Sequence, residues 1–297
     1  MSNKDYVLVS VLMTAYNREQ YISESIESVL ASSYKNFELI IVDDKSTDNT
    51  YVVAEKFANR DDRIRLYKNE INLGDYPNRN KAASYAKGKY IKYVDSDDSI
   101  LPEGLKIMVN SMENYPEAAF GFCDIKKIEV RSYPYLLSGK EALRKHFLNK
   151  GLLLAGPASA IIKLKSFYEI GGFSETRYVS DYEAWLKLCL NNALLILEPD
   201  LVNIRIHPGQ EMDVGKLAYY HLNYDLHKQF LNLPEAPFTN LEKKKLLFNY
   251  KVLLGRRVYQ RLIKWYGIKK SLETIKKAGE TPFILISAFF PMKKFNN

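Results

Sequence analysis

Cysteine and histidine are scarce in this chain of 297 residues, which has two of the first and four of the second. Cys123 and Cys189 lie in apolar stretches without CxxC spacing, which favours buried free thiols over a disulfide or a metal site. His146, His221 and His227 show no metal-ligand spacing. No GxGxxG follows a strand-like segment and no GxxxxGK[ST] occurs, which argues against a dehydrogenase and a P-loop nucleotidase.

Targeting and membrane-spanning patterns are also missing. Residues 1–6 lack a basic region followed by an apolar core and a cleavage site, so we expect no secretory signal. Residues 283–291 form a run of nine mostly apolar residues, far short of the ~20 that span a bilayer. With two expected free thiols, these absences predict a cytoplasmic protein.

Positive charge is abundant but unevenly placed. The formal net charge is +8, and residues 239–297 contain fourteen Lys and Arg against three Glu. That surplus of +11 leaves residues 1–238 with a net charge of −3. The basic end of the chain therefore predicts attraction to an anionic membrane or another polyanion.

Strand and helix patterns alternate through the first part of the chain. Apolar, β-branched runs at residues 7–13, 37–42, 64–67 and 90–94 predict buried parallel strands. Helical patterns lie between them, including one at residues 80–87. The alternation predicts an α/β fold with a doubly wound, mostly parallel sheet flanked by helices. Later patterns include a strand at residues 202–207 and almost continuous helix from residue 213, so we expect a domain at 1–210 and a helical, basic extension at 211–297.

Polar residues follow three of the predicted strands. In a doubly wound sheet, ligands bind outside the carboxyl ends of the strands, so these segments are expected to converge on one crevice. The residues concerned are Thr14, Tyr16 and Asn17 after the first strand, Asp43 and Asp44 after the second, and Asp95, Ser96, Asp97 and Asp98 after the fourth.

The Asp95–Asp98 segment has the composition of a divalent cation site. Alternate residues of an extended segment point the same way, so Asp95 and Asp97 could share one ligand. Hard cations such as Mg²⁺ prefer oxygen ligands and need few carboxylates when phosphates complete their coordination. The alternative is an Asp-rich turn in which Asp98 or Ser99 caps the helix that follows.

The order and spacing of these motifs resemble family 2 glycosyltransferases over roughly residues 7–208. SVLMTAYNREQYISESIESVLASSYKNFELIIVDDKSTDNT is similar to the opening signature of that family. NLGDYPNRNKAASYAKGKYIKYVDSDD is similar to the segment that leads into its DxD motif. The resemblance implies a GT-A fold, with a nucleotide-sugar-binding part at residues 1–100 and an acceptor-binding part at 101–210. It also implies sugar transfer with inversion from a nucleoside diphosphate sugar, which we expect to be a UDP-sugar.

The resemblance assigns roles on the donor side. His207, in IRIHPGQ, matches a histidine that approaches the diphosphate or the metal, although a solvated loop residue would also fit. Arg79 could likewise be an ordinary surface arginine. The implied nucleotide-binding residues are Thr14, Tyr16, Asn17, Asp44, Arg79 and Asp95, the last of these at the ribose, and the implied ligands of Mn²⁺ or Mg²⁺ are Asp97 and His207.

A base is also needed to deprotonate the acceptor hydroxyl. GGFSETRYVSDYEAWLKL resembles the family segment that carries this base, and matching it by position implies Asp181 as the catalytic residue. The family pattern usually has Glu before this Asp, where the present chain has Ser180. The alternative makes Ser180 a helix N-cap and Asp181 a first-turn acid favoured by the helix dipole. Both interpretations can hold together.

The basic extension indicates which kind of acceptor to expect. Leu246, Tyr250 and Leu254 belong to an apolar helical face beside a basic one, a pattern typical of a helix lying in an anionic membrane interface. We therefore expect a carbohydrate or lipid-linked saccharide acceptor and peripheral contact with the inner face of the cytoplasmic membrane. The alternative is a helix whose apolar face packs on the catalytic domain.

Two other functions compete with sugar transfer. A sugar-1-phosphate nucleotidyltransferase also uses an α/β sheet and a metal, but it normally has a Gly-rich basic loop where this chain has TAYNREQ. A basic protein that binds nucleic acid or membrane without catalysis would use the cationic end. Because the carboxylates would repel phosphate in the absence of a metal, we expect no nucleic acid partner.

Overall fold

The computed structural model describes residues 7–123, 132–207, 216–263 and 291–292. The chain divides into two compact units. Unit 1 is Met1–Leu143 with Gly151–Ile206, and unit 2 is Arg144–Lys150 with His207–Asn297. The domain boundary predicted between residues 210 and 211 lies outside the described residues, and the predicted division stays a prediction.

Unit 1 is built on an eight-stranded sheet with a separate two-stranded one. In chain order the strands are β1 (Val9–Ala15), β2 (Phe37–Asp43), β3 (Ile64–Lys68), β4 (Tyr90–Tyr93), β5 (Ser99–Ile100), β6 (Ala118–Phe122), β7 (Tyr135–Leu137), β8 (Ala160–Lys163), β9 (Ala193–Ile196) and β10 (Val202–Asn203). The large sheet has the order β3-β2-β1-β4-β8-β6-β9-β7, and β5 pairs with β10.

The described α-helices follow the strands. They are α1 (Ile22–Leu30), α2 (Thr50–Ala58), α3 (Asp75–Ser84), α4 (Gly104–Asn114), α5 (Gly139–Lys145), α6 (Leu164–Glu169), α7 (Ser180–Asn191), α8 (Lys216–Leu231) and α9 (Asn240–Ile263). A π-helical segment (His146–Lys150) follows α5, and a 3₁₀ turn (Pro157–Ser159) precedes β8. Among the described helices, none is long and apolar enough to cross a membrane.

Strand direction confirms the predicted mostly parallel α/β sheet. Strands β3, β2, β1 and β4 are mutually parallel, and β6 is parallel to β9. Only β8 and β7 pair antiparallel with their neighbours in this sheet, as far as the described residues show. Every residue of β2 is buried, as are all but one residue of β1, because helices cover both faces of these strands.

Two predicted elements differ from the structure. The helix expected at residues 80–87 is α3, which begins earlier, at Asp75, and ends at Ser84. Gly74, at φ +86°, turns the chain into this helix. Pro77 lies in the first turn, where its missing N–H leaves no hydrogen bond unmade. The strand expected at 202–207 is limited to β10, because only its first two residues pair with β5.

Unit 2 has an aromatic core that includes the π-helical segment. The ring of Phe147 stacks on Phe230, with centroids 5.5 Å apart, and meets Phe238 edge-on at 5.2 Å. Tyr250 of α9 stacks on His227 of α8 at 3.7 Å. On α9, Leu246 and Leu254 are buried. Much of the apolar face predicted for this helix is therefore used in packing within unit 2.

Candidate active site

The carboxyl ends of β2, β1 and β4 meet at one edge of the sheet, because these strands are adjacent and parallel. The Asp44 N–H donates to the Ala15 carbonyl at 2.8 Å. The Ser96 hydroxyl donates to the Thr14 carbonyl at 2.9 Å. The structure thus brings the three predicted segments together at a single site.

The segment after β1 is held by its neighbour after β2. Asn17 has a left-handed backbone with φ +52°, a conformation that asparagine tolerates better than most residues. Its N–H donates to Ser46 Oγ at 3.0 Å, and its Oδ1 accepts from the Thr47 N–H at 2.9 Å. Tyr16 remains 46% exposed beside this turn. Asn17 therefore shapes the turn and Tyr16 is exposed beside it, and contact of either residue with a nucleotide stays a prediction.

Asp44 is buried and organises the loop before α3. Its Oδ1 accepts from Asn69 Nδ2 and from the Leu73 N–H, both at 2.8 Å. Its Oδ2 accepts from the Gly74 N–H at 2.9 Å. The carboxylate thus fixes the path that leads into α3, and its contact with a nucleotide stays a prediction.

Arg79 of α3 is a buried residue, so the surface-arginine alternative is wrong. Its Nη1 donates to Asp95 Oδ1 at 2.6 Å and its Nε donates to Asp75 Oδ1 at 2.7 Å. The guanidinium also lies over the ring of Tyr93, 5.5 Å from the centroid. Although burial opposes its charge, Asp75 and Asp95 raise the pKa of Arg79. Two predicted donor-binding residues, Arg79 and Asp95, are therefore one ion pair.

The Asp95–Asp98 segment forms a tight turn that caps no helix. The Asp98 N–H donates to the Asp95 carbonyl at 2.9 Å, and β5 begins at the next residue. The following helix, α4, has Glu103 at its N-cap, so the capping alternative for Asp98 or Ser99 is wrong. Burial, with the charges of Asp95 and Asp97, raises the pKa of Asp98 to about 7.

Two arginines that sequence reasoning missed contact this turn. Arg18 Nε donates to Asp97 Oδ2 at 2.8 Å. Arg205 donates its N–H to Asp98 Oδ1 at 3.0 Å and its Nε to the Asp97 carbonyl at 3.1 Å. Both were visible in the motifs, since Arg18 stands in YNRE and Arg205 stands two residues before His207. Neither motif indicates which carboxylate its arginine meets.

The oxygen donors of the turn fit Mn²⁺ or Mg²⁺ by their chemistry, but they do not form a complete site alone. Within the residues that the structure describes, no group of three His, Cys, Asp or Glu side chains could hold a metal ion. Diphosphate oxygens of a bound donor would have to supply further ligands, as is usual for Mg²⁺. His207 belongs to unit 2, and its role as a metal ligand stays a prediction.

Asp181 lies in the first turn of α7 and contacts a residue of α3. Its Oδ1 accepts from the Tyr76 hydroxyl and from the Tyr182 N–H, both at 2.8 Å. Burial raises the pKa of Asp181 to about 6, against the lowering effect of the Tyr76 hydrogen bond. The N-cap of α7 is Val179, so Ser180 is not the cap. A carboxylate with this pKa is ionised at neutral pH and still able to accept a proton.

Lys92 of β4 is a third residue that the sequence did not reveal. It is completely buried, and its ammonium donates to the carbonyls of Tyr93 and Ala158. Burial lowers the pKa of Lys92 to about 8. The neighbouring Ala155 carbonyl accepts from Trp185 Nε1 of α7 at 2.8 Å. The 3₁₀ turn at Pro157–Ser159 is therefore hydrogen-bonded to β4 through Ala158. Ala155, just before this turn, is hydrogen-bonded to α7.

Comparison with known proteins gives one family. The sequence profile of the family described as glycosyl transferase family 2 matches residues 10–171. An uncharacterized glycosyltransferase of Methanocaldococcus jannaschii is 32% identical over 233 residues, which is 73% of this chain and 79% of the relative. The UDP-Glc:alpha-D-GlcNAc-diphosphoundecaprenol beta-1,3-glucosyltransferase WfgD of Escherichia coli is 43% identical over 108 residues, 36% of this chain and 42% of that protein.

Solved structures show the same fold. The S. aureus TarS fragment in complex with UDP-GlcNAc matches with a TM-score of 0.69 at 22% identity, covering 90% of this chain and 78% of that one. The mannosyltransferase PcManGT of Pyrobaculum calidifontis, in complex with GDP-Man and Mn²⁺, matches with a TM-score of 0.63 at 15% identity, covering 94% and 85%. These likenesses confirm the expected GT-A fold.

Proposed function

The chain belongs to glycosyl transferase family 2, and we propose that it moves a sugar from a UDP-sugar to a hydroxyl of a saccharide acceptor with inversion at the anomeric carbon. The family assignment sets aside the nucleotidyltransferase and the non-catalytic binding protein. The observation that carries the proposal is the Asp181 carboxylate, held by Tyr76 at 2.8 Å with a pKa raised by burial to about 6.

Asp181 is the proposed general base. Transfer requires that the acceptor hydroxyl lose its proton as its oxygen bonds to the anomeric carbon and the bond to the diphosphate oxygen breaks. A carboxylate with a pKa near 6 is mostly ionised at pH 7.5, yet it is a stronger base than an exposed aspartate. The Tyr76 hydroxyl orients this carboxylate from α3. One base on the acceptor side is the arrangement that a single inverting displacement needs.

On the donor side, Arg79 holds Asp95 in place for the ribose, and Tyr16 offers an exposed ring on which the nucleobase can stack. Asp97 would hold Mn²⁺ or Mg²⁺. Such a cation stabilises the negative charge that develops on a leaving diphosphate. UDP in the TarS complex and in the donor name of WfgD supports a UDP-sugar here. Mn²⁺ in the mannosyltransferase complex supports the cation.

The acceptor is proposed to be a lipid-linked saccharide used to assemble a bacterial surface polysaccharide or glycolipid. WfgD acts on a sugar diphosphoundecaprenol, according to its name, and it is 43% identical to this chain over 108 residues, which are 36% of this chain. A lipid-linked acceptor would bring the enzyme to the cytoplasmic face of a membrane. Neutral soluble saccharides are the competing acceptor class.

The test is a transfer assay with UDP-glucose, UDP-GlcNAc and GDP-mannose, with and without MnCl₂, followed by NMR of the product linkage. We expect a UDP-sugar to be used and an α-linked donor to give a β-linked product. Asp181→Asn should abolish transfer, whereas Asp200→Asn, the same change in an exposed loop, should not. Near-normal transfer by Asp181→Asn, or a product with retained configuration, would refute the mechanism.

Peripheral membrane contact through unit 2 is part of the proposal. Because Leu246 and Leu254 are buried, the contact would depend on exposed cations such as Lys244 and Arg257 rather than on insertion of that face. We expect the full chain to sediment with anionic vesicles at low salt and less so after Lys244→Gln with Arg257→Gln. Equal sedimentation with anionic and neutral vesicles would contradict the proposal.

A further inference from the structure

Arg18 is held firmly against the carboxylate of Asp97. Its N–H donates to Thr50 Oγ1 at 2.7 Å, and its Nη1 donates to the carbonyls of Tyr16 at 3.3 Å and Asn17 at 3.0 Å. These contacts leave the Nε to reach Asp97 Oδ2 at 2.8 Å. The guanidinium therefore connects two parts of the site. One is the turn that contains Tyr16, and the other is the Asp97 carboxylate, which is proposed to bind the cation.

The pair is partly shielded from water. The side chains of Arg18 and Asp97 are 25% and 15% exposed, so solvent screens their attraction less than it would at an open surface. Arg205, the other cation at this turn, directs its Nη2 to Glu24 Oε2 at 2.5 Å and its Nε to a backbone carbonyl. Arg18, by contrast, forms a direct ion pair with the Asp97 carboxylate.

A divalent cation at Asp97 would share this carboxylate with a guanidinium. Two cations on one carboxylate repel each other, and the repulsion is strong where water is partly excluded. A diphosphate brings negative oxygens to the same place, and arginine forms strong charge-assisted hydrogen bonds with phosphate. The guanidinium then has a new anionic partner, and the carboxylate can turn to the cation.

We propose that Arg18 is a positioning residue that competes with the divalent cation for Asp97 and transfers to the diphosphate when the donor binds. Cation and donor therefore bind together, and the cation binds weakly alone. The inference rests on the proposed function, since it takes the cation and the diphosphate as ligands of the same site. It makes binding of each ligand depend on the other, and thermodynamic linkage requires that dependence to be reciprocal.

The test is Mn²⁺ binding to the full chain, measured by electron paramagnetic resonance of free Mn²⁺, with and without UDP. We expect UDP to tighten Mn²⁺ binding to the unaltered protein by about 10-fold or more, within the range of ordinary coupling. Arg18→Gln should bind Mn²⁺ alone about 5-fold tighter or more and gain less from UDP. Arg18→Lys, which keeps the positive charge, should stay close to the unaltered protein.

Arg60→Gln is the matched control, because it removes the same charge from an exposed position of unit 1. It should leave both Mn²⁺ affinities unchanged. An Arg18→Gln protein that binds Mn²⁺ alone no more tightly than the unaltered protein would overturn the inference, and so would equal effects of Arg18→Lys and Arg18→Gln. In either case transfer by the unaltered protein would leave the proposed function standing. Absence of Mn²⁺ binding even with UDP would overturn the inference and the proposed cofactor together.

Discussion

Replacing Tyr76 by phenylalanine removes the hydroxyl that donates a hydrogen bond to the proposed base, Asp181, and changes little else. The ring that packs against Phe173, with centroids 5.4 Å apart, is kept. The hydrogen bond to Asp181 Oδ1 at 2.8 Å is lost. That hydrogen bond favours the ionised carboxylate and lowers the pKa of Asp181 against the effect of burial. The substitution should therefore raise this pKa above its present value of about 6.

The size of the shift follows from the hydrogen bond that is removed. A hydrogen bond to a charged group contributes about 1.5–3 kcal/mol, which corresponds to about 1–2 pKa units. We expect the acidic limb of the pH–rate profile to move from about pH 6 to about pH 7–8. Transfer at pH 7 should then fall by about 2- to 10-fold, and transfer at pH 9 should be nearly unchanged.

The assay is kcat/KM for the acceptor from pH 5.5 to 9, at saturating donor and Mn²⁺. Tyr168→Phe is the matched control, because it removes a hydroxyl that donates to the Ala83 carbonyl at 2.8 Å on the same helix, α3. Its profile should keep the limb of the unaltered protein. A limb that stays in place in Tyr76→Phe, or a loss that is equal at every pH, would show that the hydroxyl does not tune the base.

Three further outcomes follow from the same structure. Asp181 has a pKa raised in the folded chain, so its ionisation costs stability as pH rises through about 6. The Asp181→Asn protein should therefore be inactive yet more stable at pH 8 by up to about 3 kcal/mol. Thermal unfolding should show this gain disappearing near pH 4. Arg79→Met leaves Asp95 without its 2.6 Å partner, and we expect a loss of about 3 kcal/mol in denaturant unfolding together with weaker UDP binding. Burial lowers the pKa of His146 to about 3, so the stability that its neutral form contributes is complete above pH 6.5 and falls by about 2 kcal/mol at pH 5. In denaturant unfolding, His146→Phe should lose about 2 kcal/mol less than the unaltered protein between pH 6.5 and pH 5.

The sheet and the position of its polar edge were predictable because they depend on local pattern. Runs such as FELIIVD are apolar on both faces, which is expected only where helices cover a strand on each side. Regular alternation with helices then requires parallel strands, and parallel strands place Asn17, Asp44 and Asp95 at one edge. The boundaries of α3 were missed because Pro77 and polar residues obscure the helical pattern at its start.

Contacts inside the site could not be predicted in this way. Tyr76 and Asp181 are 105 positions apart in the chain, and nothing in the neighbourhood of either residue indicates the other. Arg18 and Asp97 are 79 positions apart, and their motifs are equally silent about the ion pair. Lys92 interrupts an otherwise apolar strand, and only the fold brings the carbonyl of Ala158, 66 positions away, to its ammonium.

The sequence by itself determined which chemistry this protein carries: an α/β sheet, acidic strand ends and the motifs of a glycosyltransferase family. The sheet and its acidic strand ends follow from periodicity and spacing, which are properties of neighbouring residues, and the family follows from the resemblance of its motifs. The tertiary structure decided how each group is tuned. It placed the half-buried Asp181 beside Tyr76, paired Arg79 with Asp95 and set Arg18 against Asp97. Burial and distance between remote segments govern pKa and charge pairing, and only the folded chain defines them.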